Sequence, residues 1–118
     1  MALPYYATEH LMRDGQQLLD AAQRTGLDAP VVSCPGWNMG DLVWHMGEVW
    51  TFWGRIVEER LTDDEQVRSG PPRGRPRDDV LVDWVAAAHN RVYSVLNTAP
   101  VDLAYWTWTG ANQDLWWV

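Results

Sequence analysis

Between Met39 and Arg60 the large apolar residues return every three or four positions, as Leu42, Met46, Val49, Trp53 and Ile56. At ~100° per residue they fall within roughly 80° of one another, flanked by Trp50, Phe52 and Val57. Glu48, Thr51, Arg55, Glu58 and Glu59 occupy the opposite face, so the stretch predicts an amphipathic helix whose apolar stripe faces a core. Asn38 is the expected cap, with Asp41 at the third helical position returning the bond as in a capping box. Pro35-Gly36 makes the turn before it. Trp44 breaks the pattern. It falls among the polar residues and is expected to touch another segment or to form an interface.

Two further stretches share this period. From Thr8 to Arg24, Leu11, Gly15, Leu18 and Ala22 form one stripe, with Thr8 as the expected cap and Gly26 as the stop. From Asp79 to Asn97 the stripe is Leu81, Trp84, Val85, Ala88, Val92, Val95 and Leu96. Asp78 and Asp79 suit its N-terminus, and Pro100 follows its end. Between the second and third helices, Thr62 to Asp79 holds Pro71, Pro72 and Pro76 but one large apolar residue, Val67. It is expected to be a flexible internal linker over 62–79, its arginines (Arg68, Arg73, Arg75, Arg77) offset by flanking aspartates. After Pro100, Tyr105 to Thr109 alternates aromatic residues and threonine, a short extended pattern. Gly110 to Asp114 then opens what reads as a fourth helix, and the sequence stops on Trp116-Trp117-Val118. The expected fold is all-α: a single domain over 1–118, with three long helices and the start of a fourth of a four-helix bundle.

Charge narrows the partners. The 118 residues carry a net charge of −7, which argues against nucleic acid and against an anionic membrane surface. Cys34 is the single cysteine, and the N-terminus has no basic, apolar leader, so a cytoplasmic protein without an internal disulfide is expected.

The residues able to carry chemistry are few. His45 sits beside Leu42 and Val49 at the margin of the second helix's stripe. There an imidazole is either a hydrogen-bonded boundary residue or a ligand projecting between bundle helices. His89 lies at the margin of the third helix's stripe and His10 on the polar face of the first. Cys34 stands in the turn before the second helix, as a small residue packed there or a thiol near a positive helix end. No phosphate-binding glycine loop, nucleophile elbow or His-Glu-x-x-His is present. No residue is identified as catalytic. Of the nine tryptophans, Trp50, Trp53 and Trp84 fall on core stripes. Trp106, Trp108, Trp116 and Trp117 cluster near the end, as core or as the wall of a ligand pocket, with Thr107 and Thr109 as expected partners for their indoles.

The segment Cys34-Pro-Gly-Trp-Asn-Met-Gly-Asp-Leu-Val-Trp-His45 resembles the N-terminal metal-binding domain of mycothiol-dependent maleylpyruvate isomerases, within the DinB/YfiT-like superfamily. Pro35-Gly36-Trp37 matches that family's turn, and Asp41-Leu42-Val43-Trp44-His45 its Asp-Leu-x-x-His helix. Trp106-Thr107-Trp108 matches its tryptophan strip. The resemblance covers nearly the whole chain. It implies a DinB-like bundle holding a divalent metal, most often zinc, on a His and on the Glu and His of a Glu-x-x-x-His motif in the fourth helix. The first of these ligands falls on His45, and the motif would lie beyond Val118. It also implies mycothiol as co-substrate, its thiol made nucleophilic by the metal for isomerisation or thiol transfer.

The alternative reading is a non-catalytic bundle that binds a small molecule or pairs as a dimer. Three helices leave an apolar trough where a fourth would sit. Burial at ~25 cal/mol per Å² would drive pairing, with Trp116-Trp117 in a neighbour's groove.

Overall fold

The structure, a computed structural model, describes residues 5–109 and 113–115. Helix α1 runs Tyr5–Thr25, α2 Met39–Glu58, α3 Asp64–Arg68 and α4 Asp78–Thr98. No strand forms among the described residues. One antiparallel bridge between Pro30 and Asn38 closes the loop before α2. The all-α bundle is as expected. The start of the expected fourth helix falls largely on residues outside those described, as do Trp116 and Trp117.

Local signals set most of the helix ends. The Asn38 side chain accepts from the Asp41 backbone N–H at 2.8 Å, and the Asn38 N–H donates back to the Asp41 carboxylate at 3.0 Å. Gly26 ends α1 with φ +82°, a conformation that costs glycine nothing. Thr8, expected as the α1 cap, lies inside that helix instead. It is buried, and its hydroxyl donates to Asn97 of α4 at 3.1 Å, so it links two helices rather than starting one.

Helices α2 and α4 form the most extensive pair, and α1 packs mainly on α4. The upper core joins Leu19, Ala22, Val43, Trp50, Leu81, Val85 and Val92. A lower one gathers Ile56, Val57, Leu61, Ala99, Tyr105 and Leu115, where the chain after α4 folds back. Tyr105 is fully buried there, its hydroxyl donating to the Pro100 carbonyl at 2.8 Å. Burial raises its pKa above the ordinary phenol value.

The core face of α2 is not the one its large apolar residues predict. Its buried residues are Gly40, Val43, Gly47, Trp50, Gly54, Ile56 and Val57. Apart from Ile56 they lie roughly 100° around the helix from the Leu42–Met46–Val49–Trp53 stripe. The cause is steric. A Cβ on Gly47 would lie 2.8 Å from both Trp84 and Val85, so α4 approaches where α2 has no side chain. Trp44 meets the expectation of touching another segment, with its ring 5.1 Å from that of Trp84. Trp53 and Trp84, expected in the core, are half-buried at its edge.

Candidate functional site

Turning α2 this way leaves its large apolar residues for a second surface. Val49, Phe52 and Trp53 line a groove of about 520 Å³, with Trp108 and Pro71 as its other walls. The volume is within the ~300–1,000 Å³ of small-molecule sites. Phe52 and Trp108 stack at 5.6 Å and 14°, and Trp106 meets Trp108 edge-on at 4.9 Å. Trp108 is 72% exposed, so much of this aromatic wall faces solvent.

His45, Glu48 and Arg73 supply the polar groups of the groove. His45 is exposed, and Trp37 from the preceding turn sets its ring edge against the imidazole at 5.4 Å. The Pro-Gly-Trp turn therefore positions the one histidine that the sequence placed as a ligand. Gly36 makes the turn possible with φ +84°. Cys34 is half-buried in the same turn, with its carbonyl accepting from the Trp37 N–H at 3.0 Å.

The stretch expected as a linker crosses this region and is anchored at several points. Asp63 caps α3 by accepting from the Gln66 N–H. Arg55 of α2 donates to the carbonyls of Val67 and Gln66 at 3.1 and 3.0 Å. Trp106 donates its indole N–H to Asp64 at 2.5 Å, so its partner is the helix α3 carboxylate and not the threonines expected. Farther along, Arg75 reaches Asp41 at 2.8 Å and Asp78 at 3.3 Å, joining the starts of α2 and α4. The Asn38 backbone hydrogen bond, and then Arg75, hold the Asp41 carboxyl below its ordinary pKa. Sequence reasoning missed these tethers, whose only trace was arginines among aspartates.

The other histidines do not join His45. His10 is exposed on α1 against Arg13. His89, expected at a stripe margin, is fully buried. Its Nε2 donates to the Leu11 carbonyl at 3.0 Å, and Trp50 packs 4.8 Å from its ring. Among the described residues no group of three His, Cys, Asp or Glu side chains is placed to hold a metal ion. They supply one imidazole and an adjacent carboxylate, short of the three protein ligands of an open catalytic centre. No chemical step through a metal follows from them.

The all-helical fold, with an exposed imidazole beside an aromatic groove, is that of a DinB-like bundle. The sequence matches the family model of the mycothiol maleylpyruvate isomerase N-terminal domain over residues 8–118, and the chain belongs to that family. No curated protein and no solved structure matches it. Among the described residues no helix is long and apolar enough to cross a membrane.

Proposed function

We propose that this domain serves mycothiol-linked isomerase or thiol-transfer chemistry and that its small-molecule ligand occupies the groove beside His45. One observation carries the reading: His45, in the family's Asp-Leu-x-x-His position, stands at a groove with aromatic walls and the guanidinium of Arg73, which has no ion pair among the described residues. The residues present bind and orient. Phe52, Trp53 and Trp108 cover the apolar part of a ligand, and Arg73 takes an anionic group. His45 is the position for one ligand to a divalent metal, zinc above others, with the remaining ligands to come from outside the described residues.

The test is a zinc titration followed by mycothiol, read by calorimetry, in the wild type, His45→Ala and Trp108→Ala. Zinc affinity is expected to fall in His45→Ala, and thiol binding to fall in Trp108→Ala. Zinc binding unchanged by His45→Ala would overturn the ligand assignment. Mycothiol binding unchanged by Trp108→Ala would remove the groove from the reading.

The second reading is a non-catalytic bundle whose aromatic face pairs with a second copy. It is favoured by the exposure of Trp108 on that face. A dimer by light scattering that dissociates in Trp108→Ala would support it, and a monomer at micromolar concentration would sink it.

A further inference from the structure

On the other side of the strap formed by residues 69–77 lies a cleft of about 400 Å³, between α2 and α4, with Pro71 and Arg73 shared between it and the groove. Its wall is Trp50 and Ala88, and Thr51 lies at its edge. Three guanidinium groups converge on it, from Arg55, Arg73 and Arg91. Arg55 is bound to Glu59 at 2.7 Å and to the Gln66 and Val67 carbonyls of α3, and Arg91 is paired with Glu58. Arg73 has no hydrogen bond or ion pair among the described residues. The cleft therefore keeps one net positive charge in a chain whose net charge is −7.

We infer that this cleft is a second ligand site, which shares Pro71 and Arg73 with the His45 groove, and that it takes a small apolar monocarboxylate. Charge selects the class. One uncompensated guanidinium matches one carboxylate, whose two oxygens its fork can hold. A phosphate monoester carries about −1.5 to −2 and would meet Glu58 and Glu59 at the same wall. The Trp50 ring and the Ala88 methyl suit a planar or short aliphatic body. Thr51 donates its hydroxyl to the Gly47 carbonyl at 2.7 Å, which leaves it an acceptor, so it adds no second anion donor. Specificity for the carboxylate thus rests on the strap, through Arg73.

Benzoate is the probe, titrated into the ¹⁵N-labelled chain, with inorganic phosphate as the contrast. Saturable shifts are expected at Thr51, Arg55, Ala88 and Arg91, with phosphate binding more weakly. Arg73→Gln, on an exposed strap, should weaken benzoate about tenfold or more, the value of a lost charge-assisted bond. Ala88→Leu should fill the cleft and abolish binding, with an unchanged helical circular dichroism spectrum confirming the fold. His45→Ala and Trp108→Ala should leave benzoate affinity within about twofold, because neither lines this cleft. The inference is overturned by non-saturable shifts, by an unaffected Arg73→Gln, or by phosphate binding as tightly as benzoate. It is also overturned if binding survives Ala88→Leu but is lost in His45→Ala or Trp108→Ala, which would assign benzoate to the groove of the proposed function.

Discussion

Gly15 and His89 form the contact through which α1 is keyed to α4. A Cβ on Gly15 would fall 2.2 Å from His89 Nε2 and 2.4 Å from its Cδ2. The ring has little room to yield, being 1% exposed, bonded to the Leu11 carbonyl and packed on Trp50. Gly15→Ala therefore forces it out of place. Overpacking costs ~1–3 kcal/mol. A buried Nε2–H without its acceptor costs ~1–3 kcal/mol more. The alanine returns ~1 kcal/mol of helix propensity. The net loss is about 1–5 kcal/mol, which for a domain of this length lowers Tm by roughly 4 °C per kcal/mol. In a His89→Ala background the same substitution meets no ring, so it should stabilise by ~1 kcal/mol. Urea unfolding of the four proteins of this cycle, followed by far-UV circular dichroism, measures both signs. If Gly15→Ala stabilises the wild type, or costs the same in both backgrounds, the steric argument is wrong.

The seam between α2 and α4 offers a contrast within one helix. Gly47→Ala drives a methyl to 2.8 Å from Trp84 and Val85 and should cost ~1–3 kcal/mol, whereas Gly54→Ala finds its nearest neighbour at 3.7 Å and should gain ~0.5–1 kcal/mol in thermal unfolding. The capping box predicts a loss of ~1 kcal/mol for Asn38→Ala by the same measurement. It also predicts a pH effect. Asp41 titrates lower in the folded protein than in the unfolded chain, so its stabilisation is complete above the ordinary carboxylate range and is lost as pH falls through the depressed folded value. Urea midpoints measured from about pH 6 down to about pH 3 should therefore fall less steeply in Asp41→Asn, and parallel curves would refute the assignment.

The three long helices were legible because each carries its own period and its own terminal residues, whereas α3, five residues within the expected linker, was not. Asn38 with Asp41, and Gly26, act through bonds within a few residues, and such bonds leave a mark in the sequence. The buried face of α2 left none in the large apolar residues. Glycine contributes nothing to a hydrophobic stripe, yet Gly40, Gly47 and Gly54, one heptad apart, face inward. Thr8 and His89 were misplaced for a related reason. Each is polar by type and buried against a partner remote in sequence, Asn97 at 89 residues or the Leu11 carbonyl at 78. At the site, the place of His45 at the margin of the α2 stripe was legible from its spacing, while a ligand role for it rests on the family motif. Arg55 gripping the Gln66 and Val67 carbonyls was not, because a carbonyl acceptor has no residue type to read.

The two faces of α2 follow from one choice of packing and explain where ligands bind. A helix that presented Leu42, Met46, Val49 and Trp53 to α4 would bury them and leave the glycines outside. Close approach at Gly47 reverses this: the glycine face makes the seam, and Val49, Phe52 and Trp53 are left to the strap and to Trp106 and Trp108. These cover it in part, which leaves a groove instead of a filled core. The strap adds the polar element. Tethered by Arg55 at one end and Arg75 at the other, it holds Pro71 and Arg73 at both cavities. The backbone that carries Arg73 has thus lost chain entropy before any ligand arrives, so an anion bound there pays less for ordering. On this argument Arg55 and Arg75 are positioning residues for both sites. Their packing role is secondary to it, since the segment they tether, α3 and the strap together, contributes one half-buried apolar side chain, Val67, to the lower core.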